Sequence, residues 1–282
     1  MKMIDMHLHM LPVPGDGPVA DVETMLPVLD SLGIEKGVLM SGGESPDRLG
    51  CNAGNRAICR KYPDRFAWMC NLDPVEPETV YDRLCLYRDQ GAVGIGELMI
   101  NRPLDDPFLL AVFDAAQRLS LPVTFHMSPE VGYNYGVVDA PGLPLLEKTL
   151  QTFPGVKFLG HSQVFWIEIS GDAPTDPKGR NSWGNGPVMP GGRVPELFAQ
   201  YPNLYGDLSA NSAGKAIMRD EAFGLAFLET FADRLFFATD MLNEKTRYPL
   251  ADWLKEKAAL GQLRRETCEK ILYKNAQDHF GL

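Results

Sequence analysis

The chain has 282 residues, 45% of them hydrophobic and 23% charged, which is the composition of a globular protein and not of a disordered one. Its 27 basic and 37 acidic residues give a net charge of -10, which argues against a nucleic-acid binder or a protein of anionic membrane surfaces. A few local arginines would still admit a small anionic substrate. The cysteines, Cys51, Cys59, Cys70, Cys85 and Cys268, are odd in number and form no C-x-x-C, as expected of reduced thiols in the cytosol.

The first predicted strand covers 3–9. It is interrupted by Asp5, His7 and His9, so the N-terminus lacks the long apolar core of a signal peptide. No run of about 18 apolar residues follows anywhere, so nothing is expected to span a membrane. The expectation is a cytoplasmic protein with a small-molecule partner, and a homodimer is compatible with it. A helix is predicted over 22–32 from Val22, Met25, Leu29 and Leu32 on one face, with Gly33 as its cap. Short apolar runs then recur at 36–40, 66–72, 92–98, 122–127, 156–161, 203–209 and 235–240. A second helix is predicted over 108–119, with Pro122 as the breaker beyond it. The runs lack strict alternation, as parallel strands covered on both faces do. Eight such strands alternating with helices predict one (β/α)₈ TIM barrel over 1–282. The connection at 162–194 is too long for a plain turn and carries Trp166 and Trp183, which predicts a folded lid or insert.

The chemistry gathers at strand ends. His7 and His9 are two apart and share a face if the strand is regular, with Asp5 one layer deeper on that face. Glu97, His126, His161 and Asp240 close the fourth, fifth, sixth and eighth runs. In a barrel all these positions open onto one mouth. Imidazoles with a carboxylate suit Zn²⁺ or another borderline divalent ion, whereas Mg²⁺ and Ca²⁺ prefer oxygen-only sites. Glu97 is open to three readings: a second-metal ligand, a substrate-contacting acid, or a half-buried carboxylate paired with an arginine. Asp5 reads as an acceptor for an imidazole N–H behind the ligands. His279 falls in a surface helix and reads as structural.

The motifs Ile4-Asp5-Met6-His7-Leu8-His9, Tyr62-Pro63-Asp64-Arg65-Phe66, Phe158-Leu159-Gly160-His161, Tyr205-Gly206-Asp207-Leu208-Ser209 and Phe237-Ala238-Thr239-Asp240 resemble the amidohydrolase superfamily. The likeness is greatest to its amidohydrolase-2 branch, the small barrels related to aminocarboxymuconate-semialdehyde decarboxylase. Lys274-Asn275-Ala276 fits that branch as well. No lysine stands at the end of the fourth strand, where some binuclear relatives carry a carboxylated one. Glu97 occurs where other relatives carry a bridging glutamate.

The resemblance implies one divalent ion, Zn²⁺ first among the choices, on His7, His9, His126 and Asp240. Asp240 would be the general base, and His161 would polarise the substrate oxygen or, with Glu97, hold a second metal. The implied reaction is hydrolysis of a C–N or C–O bond, in an amide or lactone, by metal-activated water. The alternative is nonoxidative decarboxylation of a small carboxylic acid. That route needs a carboxylate clamp, for which Arg102, Arg180, Arg193 and Arg247 are candidates. Trp166, from the long connection, is a further candidate substrate contact.

Overall fold

The computed structural model describes residues 1–46 and 49–282. In chain order the elements are β1 (Met3–Leu8), α1 (Val22–Leu32), β2 (Ile34–Leu39), α2 (Asn52–Lys61), β3 (Phe66–Trp68), α3 (Val80–Asp89), β4 (Ile95–Leu98), α4 (Pro107–Leu119), β5 (Val123–Ser128), β6 (Val137–Val138), α5 (Pro144–Thr152), β7 (Phe158–His161), α6 (Gln163–Trp166), α7 (Pro177–Arg180), α8 (Arg193–Gln200), β8 (Leu204–Asp207), α9 (Ala210–Met218), α10 (Glu221–Thr230), β9 (Leu235–Phe236), α11 (Leu250–Ala259), α12 (Arg265–Glu269) and α13 (Asn275–Phe280). The short β6 lies beside the end of β5 and adds a strand that the apolar pattern does not announce.

Local chemistry sets the helix ends. Asp21 caps α1 by accepting from the backbone N–H groups of Glu23 and Thr24, and Gly33 closes it in the left-handed region at φ 75°. Asp106 caps α4, Pro107 opens it, and Ser120 at φ 55° ends it before Pro122 is reached.

The strands pair in parallel in the orders β1-β2-β3 and β4-β5-β7-β8-β9. Backbone bonds from Cys70 N to Gly94 O (2.9 Å) and from Gly96 N to Cys70 O (2.8 Å) join β3 to β4. On the other side, Met6 N donates to Phe237 O and Asp240 N to His7 O, so the stretch beyond β9 completes the circle against β1. The barrel therefore consists of β1–β5 and β7–β9, a TIM barrel whose strand ends share one mouth. Inside it, Ile4, Met6, Val38, Met40, Met69, Leu159 and Phe236 form a compact apolar plug. The larger cluster, which includes Met3, Leu8, Phe113, Phe158, Leu204 and Leu272, fills the layer between strands and helices.

One irregularity in β1 decides where the histidines point. Asp5 pairs with Gly37 and Leu8 with Leu39, so β1 spends three residues where β2 spends two. Ile4 and Met6 belong to the interior plug, but Leu8 and Met10 belong to the outer layer. The extra residue thus switches faces and brings His7 and His9 inward. Asp5 is consequently not one layer below His7 on the same face, as a regular strand would have it. A bulge next to a functional site is a common way to re-aim a side chain.

The connection at 162–194 is folded. Its first part, including Trp166, is buried, and α7 sends Arg180 back inside, while much of the remainder lies at the surface. Among the described residues no helix is long and apolar enough to cross a membrane.

Candidate metal centre

The ends of β1, β4, β7 and β9 bring His7, His9, Glu97, His161 and Asp240 into one cluster. Each of three imidazoles has its Nδ1 occupied on the side away from it. His7 Nδ1 lies 2.6 Å from Asp207 Oδ2, His9 Nδ1 donates to Leu49 O at 3.1 Å, and His161 Nδ1 lies 2.8 Å from Ser209 Oγ. Their Nε2 atoms therefore face the cluster. Such outer partners fix ring orientation in metal-binding histidines.

The spacing of these atoms fits a metal ion. His7 Nε2 is 3.2 Å from His9 Nε2. Asp240 Oδ1 lies 3.6 Å from the first and 3.5 Å from the second. Glu97 Oε2 lies 3.6 Å from His7 Nε2 and 3.4 Å from His9 Nε2. Metal–ligand distances of about 2.0–2.2 Å place the corners of a tetrahedron about 3.3–3.6 Å apart. The donors are nitrogen and carboxylate oxygen, a set that suits a borderline divalent ion.

His126 stands differently from the ligand role that the sequence suggested. Its Nδ1 is 2.8 Å from Glu97 Oε1, and its ring packs on Tyr135 with centroids 4.4 Å apart. Glu97 Oε2, not a His126 nitrogen, is the atom found beside His7 Nε2 and His9 Nε2, at 3.6 and 3.4 Å. His161 Nε2 approaches Glu97 Oε1 at 3.4 Å and Asp240 Oδ2 at 3.8 Å, so it borders both carboxylates.

Electrostatics keep Glu97 ionised. Burial pushes the Glu97 carboxyl up, but the imidazoles of His126, His7 and His9 overcome this and hold it well below the usual range. Burial likewise disfavours the His7 imidazolium, and the Asp207 and Asp240 carboxylates outweigh it, holding the His7 pKa well above the ordinary imidazole value. A proton and a divalent ion compete for such a nitrogen, so metal binding there releases protons.

Asp5 does not meet an imidazole N–H. Its carboxylate accepts from the backbone N–H of His7 and Thr239 and from the Thr239 hydroxyl, tying β1 to the end of the barrel. Burial pushes its pKa up to about 7, against those hydrogen bonds. The role expected of Asp5 belongs to Asp207, whose carboxylate sits on His7. His279 packs its ring on Tyr205 and Phe236, away from the cluster.

The arginines are engaged elsewhere. Arg180 is buried, with Nη1 donating to Pro129 O and Asp139 O. Arg193 binds Gly142 O, Glu147 and Glu196. Arg102 pairs with Asp106, and Arg247 donates to the carbonyls of Glu244 and Thr246. Trp166 is buried behind the strands, where its indole N–H donates to Asp207 O at 3.1 Å. These contacts tie the four arginines and Trp166 to the protein itself, while Arg180 Nε and Nη2 make no hydrogen bond among the described residues.

A cleft of about 250 Å³ adjoins the cluster, lined by Gly42, Leu49, Asn71, Leu72, Asp73, Pro74, Met99, Ile100 and Tyr135. Leu49 O receives His9, Asn71 donates to Glu97 O at 2.6 Å, and Tyr135 covers His126, so this wall is continuous with the cluster. Tyr135 stands in a segment with no motif spacing of its own, and Ser209 closes a motif whose spacing does not name its partner.

A (β/α)₈ barrel with histidines and carboxylates converging at its mouth defines the class of metal-dependent barrel enzymes. The sequence matches the amidohydrolase family model, Amidohydro_2, over residues 4–282; the chain belongs to that family and is an enzyme of it. No curated protein matches the sequence. Many solved structures share the fold, among them the following three. An uncharacterised TIM-barrel protein from Bordetella bronchiseptica is 18% identical, with a TM-score of 0.68 covering 100% of this chain and 99% of its own. The 2,6-dihydroxybenzoate decarboxylase from Rhizobium is 18% identical, with a TM-score of 0.65 over 100% and 99%. A probable 2-pyrone-4,6-dicarboxylic acid hydrolase from Acinetobacter baumannii is 17% identical, with a TM-score of 0.60 over 100% of both chains.

Proposed function

We propose that the protein is a metal-dependent hydrolase of a C–N or C–O bond, an amide or lactone, in a small molecule. His7, His9, Glu97 and Asp240 would hold the ion, Zn²⁺ by preference, and the ion supplies Lewis acidity at the barrel mouth. The supporting observation is the uneven exposure of the cluster. Asp240 keeps 26% of its side-chain surface open, while His7, His9, His161 and Glu97 are at 0–3%. Asp240 is thus the member that an incoming water and substrate meet, and its carboxylate accepts the proton and returns it to the leaving group. The buried members hold and orient, and the adjoining cleft takes the body of the substrate.

Decarboxylation is the second reading, favoured by the likeness to the dihydroxybenzoate decarboxylase and served by the same cluster. A panel of lactones, amides and aromatic carboxylates, assayed with purified metal-loaded protein, separates the two. Acid release without CO₂ is the expected result; CO₂ release from a carboxylate would replace the hydrolase reading.

A further inference from the structure

On the reading that this cluster holds a divalent ion, we propose that Asp207 is a positioning residue for two imidazoles at once. It fixes His7 by direct contact and His161 through Ser209, so that each turns an unprotonated Nε2 toward the cluster.

The three groups form one buried chain. Asp207 and Ser209 are 1% and 0% exposed. Asp207 Oδ2 lies 2.6 Å from His7 Nδ1, which makes Nδ1–H the donor there. Asp207 Oδ1 accepts the backbone N–H of Ser209 at 2.9 Å, which seats the serine beside the carboxylate. Ser209 Oγ then lies 2.8 Å from His161 Nδ1, and Asp207 Oδ2 is 3.7 Å from the same nitrogen. The Asp207 carbonyl is held independently by the Trp166 indole at 3.1 Å, so the carboxylate is mounted on a fixed backbone.

A serine hydroxyl both donates and accepts, so the 2.8 Å contact alone does not say which nitrogen of His161 carries the proton. Charge decides it. On the Nε2 side, Glu97 Oε1 and Asp240 Oδ2 would attract a proton, but a divalent cation in the cluster neutralises them. The negative charge left beside His161 is then that of Asp207, on the Nδ1 side. Nδ1–H donates to Ser209 Oγ, and the Ser209 proton turns to Asp207. It follows that His161 cannot polarise a substrate oxygen by donating from Nε2; its lone pair is available to a cation or to a proton. This separates the two roles that the sequence left open for His161.

Selective ¹⁵N-histidine labelling of the full chain loaded with Zn²⁺, read by two-bond ¹H–¹⁵N correlation, tests the proposal, with His161→Gln and His7→Gln spectra assigning the signals. Both residues should show protonated Nδ1 in the wild type. Ser209→Ala should release His161 from its single tautomer and leave His7 unchanged. Asp207→Asn should weaken Zn²⁺ binding in chelator competition by about 10–100-fold. A wild-type His161 protonated on Nε2, or a His161 signal unaffected by Ser209→Ala, overturns the proposal. These readouts need no substrate, so a lack of turnover would count against the hydrolase reading alone. Failure of the wild type to bind Zn²⁺ would overturn both.

Discussion

Glu97 divides its two oxygens between different partners: Oε1 lies 2.8 Å from His126 Nδ1, and Oε2 lies 3.4 Å from His9 Nε2. His126 thereby orients a carboxylate that faces the cluster. Glu97→Ala should lower the metal-to-protein ratio after gel filtration more than His126→Ala does. The reverse order would return His126 to the ligand position that the family resemblance assigned it.

Asp240→Asn should leave the fold and most of the bound metal in place while removing the proton acceptor. Asparagine keeps an oxygen at that corner but cannot take a proton. General acid–base catalysis commonly contributes 10²–10⁴-fold, so kcat should fall by at least about 10². Metal analysis and circular dichroism on the same sample check the two conditions. Recovery of activity on adding metal would instead make Asp240 a ligand and nothing more.

Arg180 spans the segment after β5, donating at 3.0 Å to Pro129 O and at 2.8 Å to Asp139 O, with Glu168 3.7 Å away. Arg180→Met would leave the buried Glu168 and Asp139 without their cation. Loss of one partner of a buried pair commonly costs about 3–5 kcal/mol, so denaturant unfolding should shift strongly. Hydrogen exchange should accelerate first in 129–139, the stretch that carries Tyr135 over His126. Uniform acceleration across the barrel would deny the arginine this local role.

Burial pushes Asp139 up to about 6, in spite of three backbone hydrogen bonds and the nearby Arg180. Its folded pKa lies above the unfolded value of about 3.9, so the folded state takes up the proton first. This group therefore adds stability as pH falls through 6, a gain complete below about 4 and absent at higher pH. Asp139→Asn should flatten the stability curve between pH 6 and 4 relative to the wild type, as read by urea unfolding. An unchanged slope would show that the carboxyl does not titrate there.

The barrel and most of its mouth were legible because strand periodicity and strand-end histidines are local signals. His7, His9, Glu97, His161 and Asp240 each close an apolar run, and topology alone gathers such positions. Asp207 was not legible as a partner, although its motif was noted, because one carboxylate in an apolar strand carries no spacing that names what it faces. The face of Asp5 was misjudged because a bulge depends on the register with β2, which the sequence of β1 does not contain. The partners of the arginines were not legible for a similar reason. The direction of a long side chain is settled by its neighbours: Glu147 lies far from Arg193 in sequence, Glu168 lies twelve residues from Arg180, and Asp106 stands four residues after Arg102 at the start of α4.

The uneven exposure of the cluster also bears on how an ion enters and leaves. With His7, His9 and Glu97 at 0–3% exposure, a chelator can approach only from the side where Asp240 is open. Exchange is then governed by how often the ion lets go of its buried ligands and not by affinity alone. Metal stripping should follow a slow first-order course that is insensitive to chelator concentration once the chelator is in excess. A substrate or inhibitor seated over Asp240 should slow it further, so the rate of metal loss becomes a reporter of ligand occupancy at the barrel mouth.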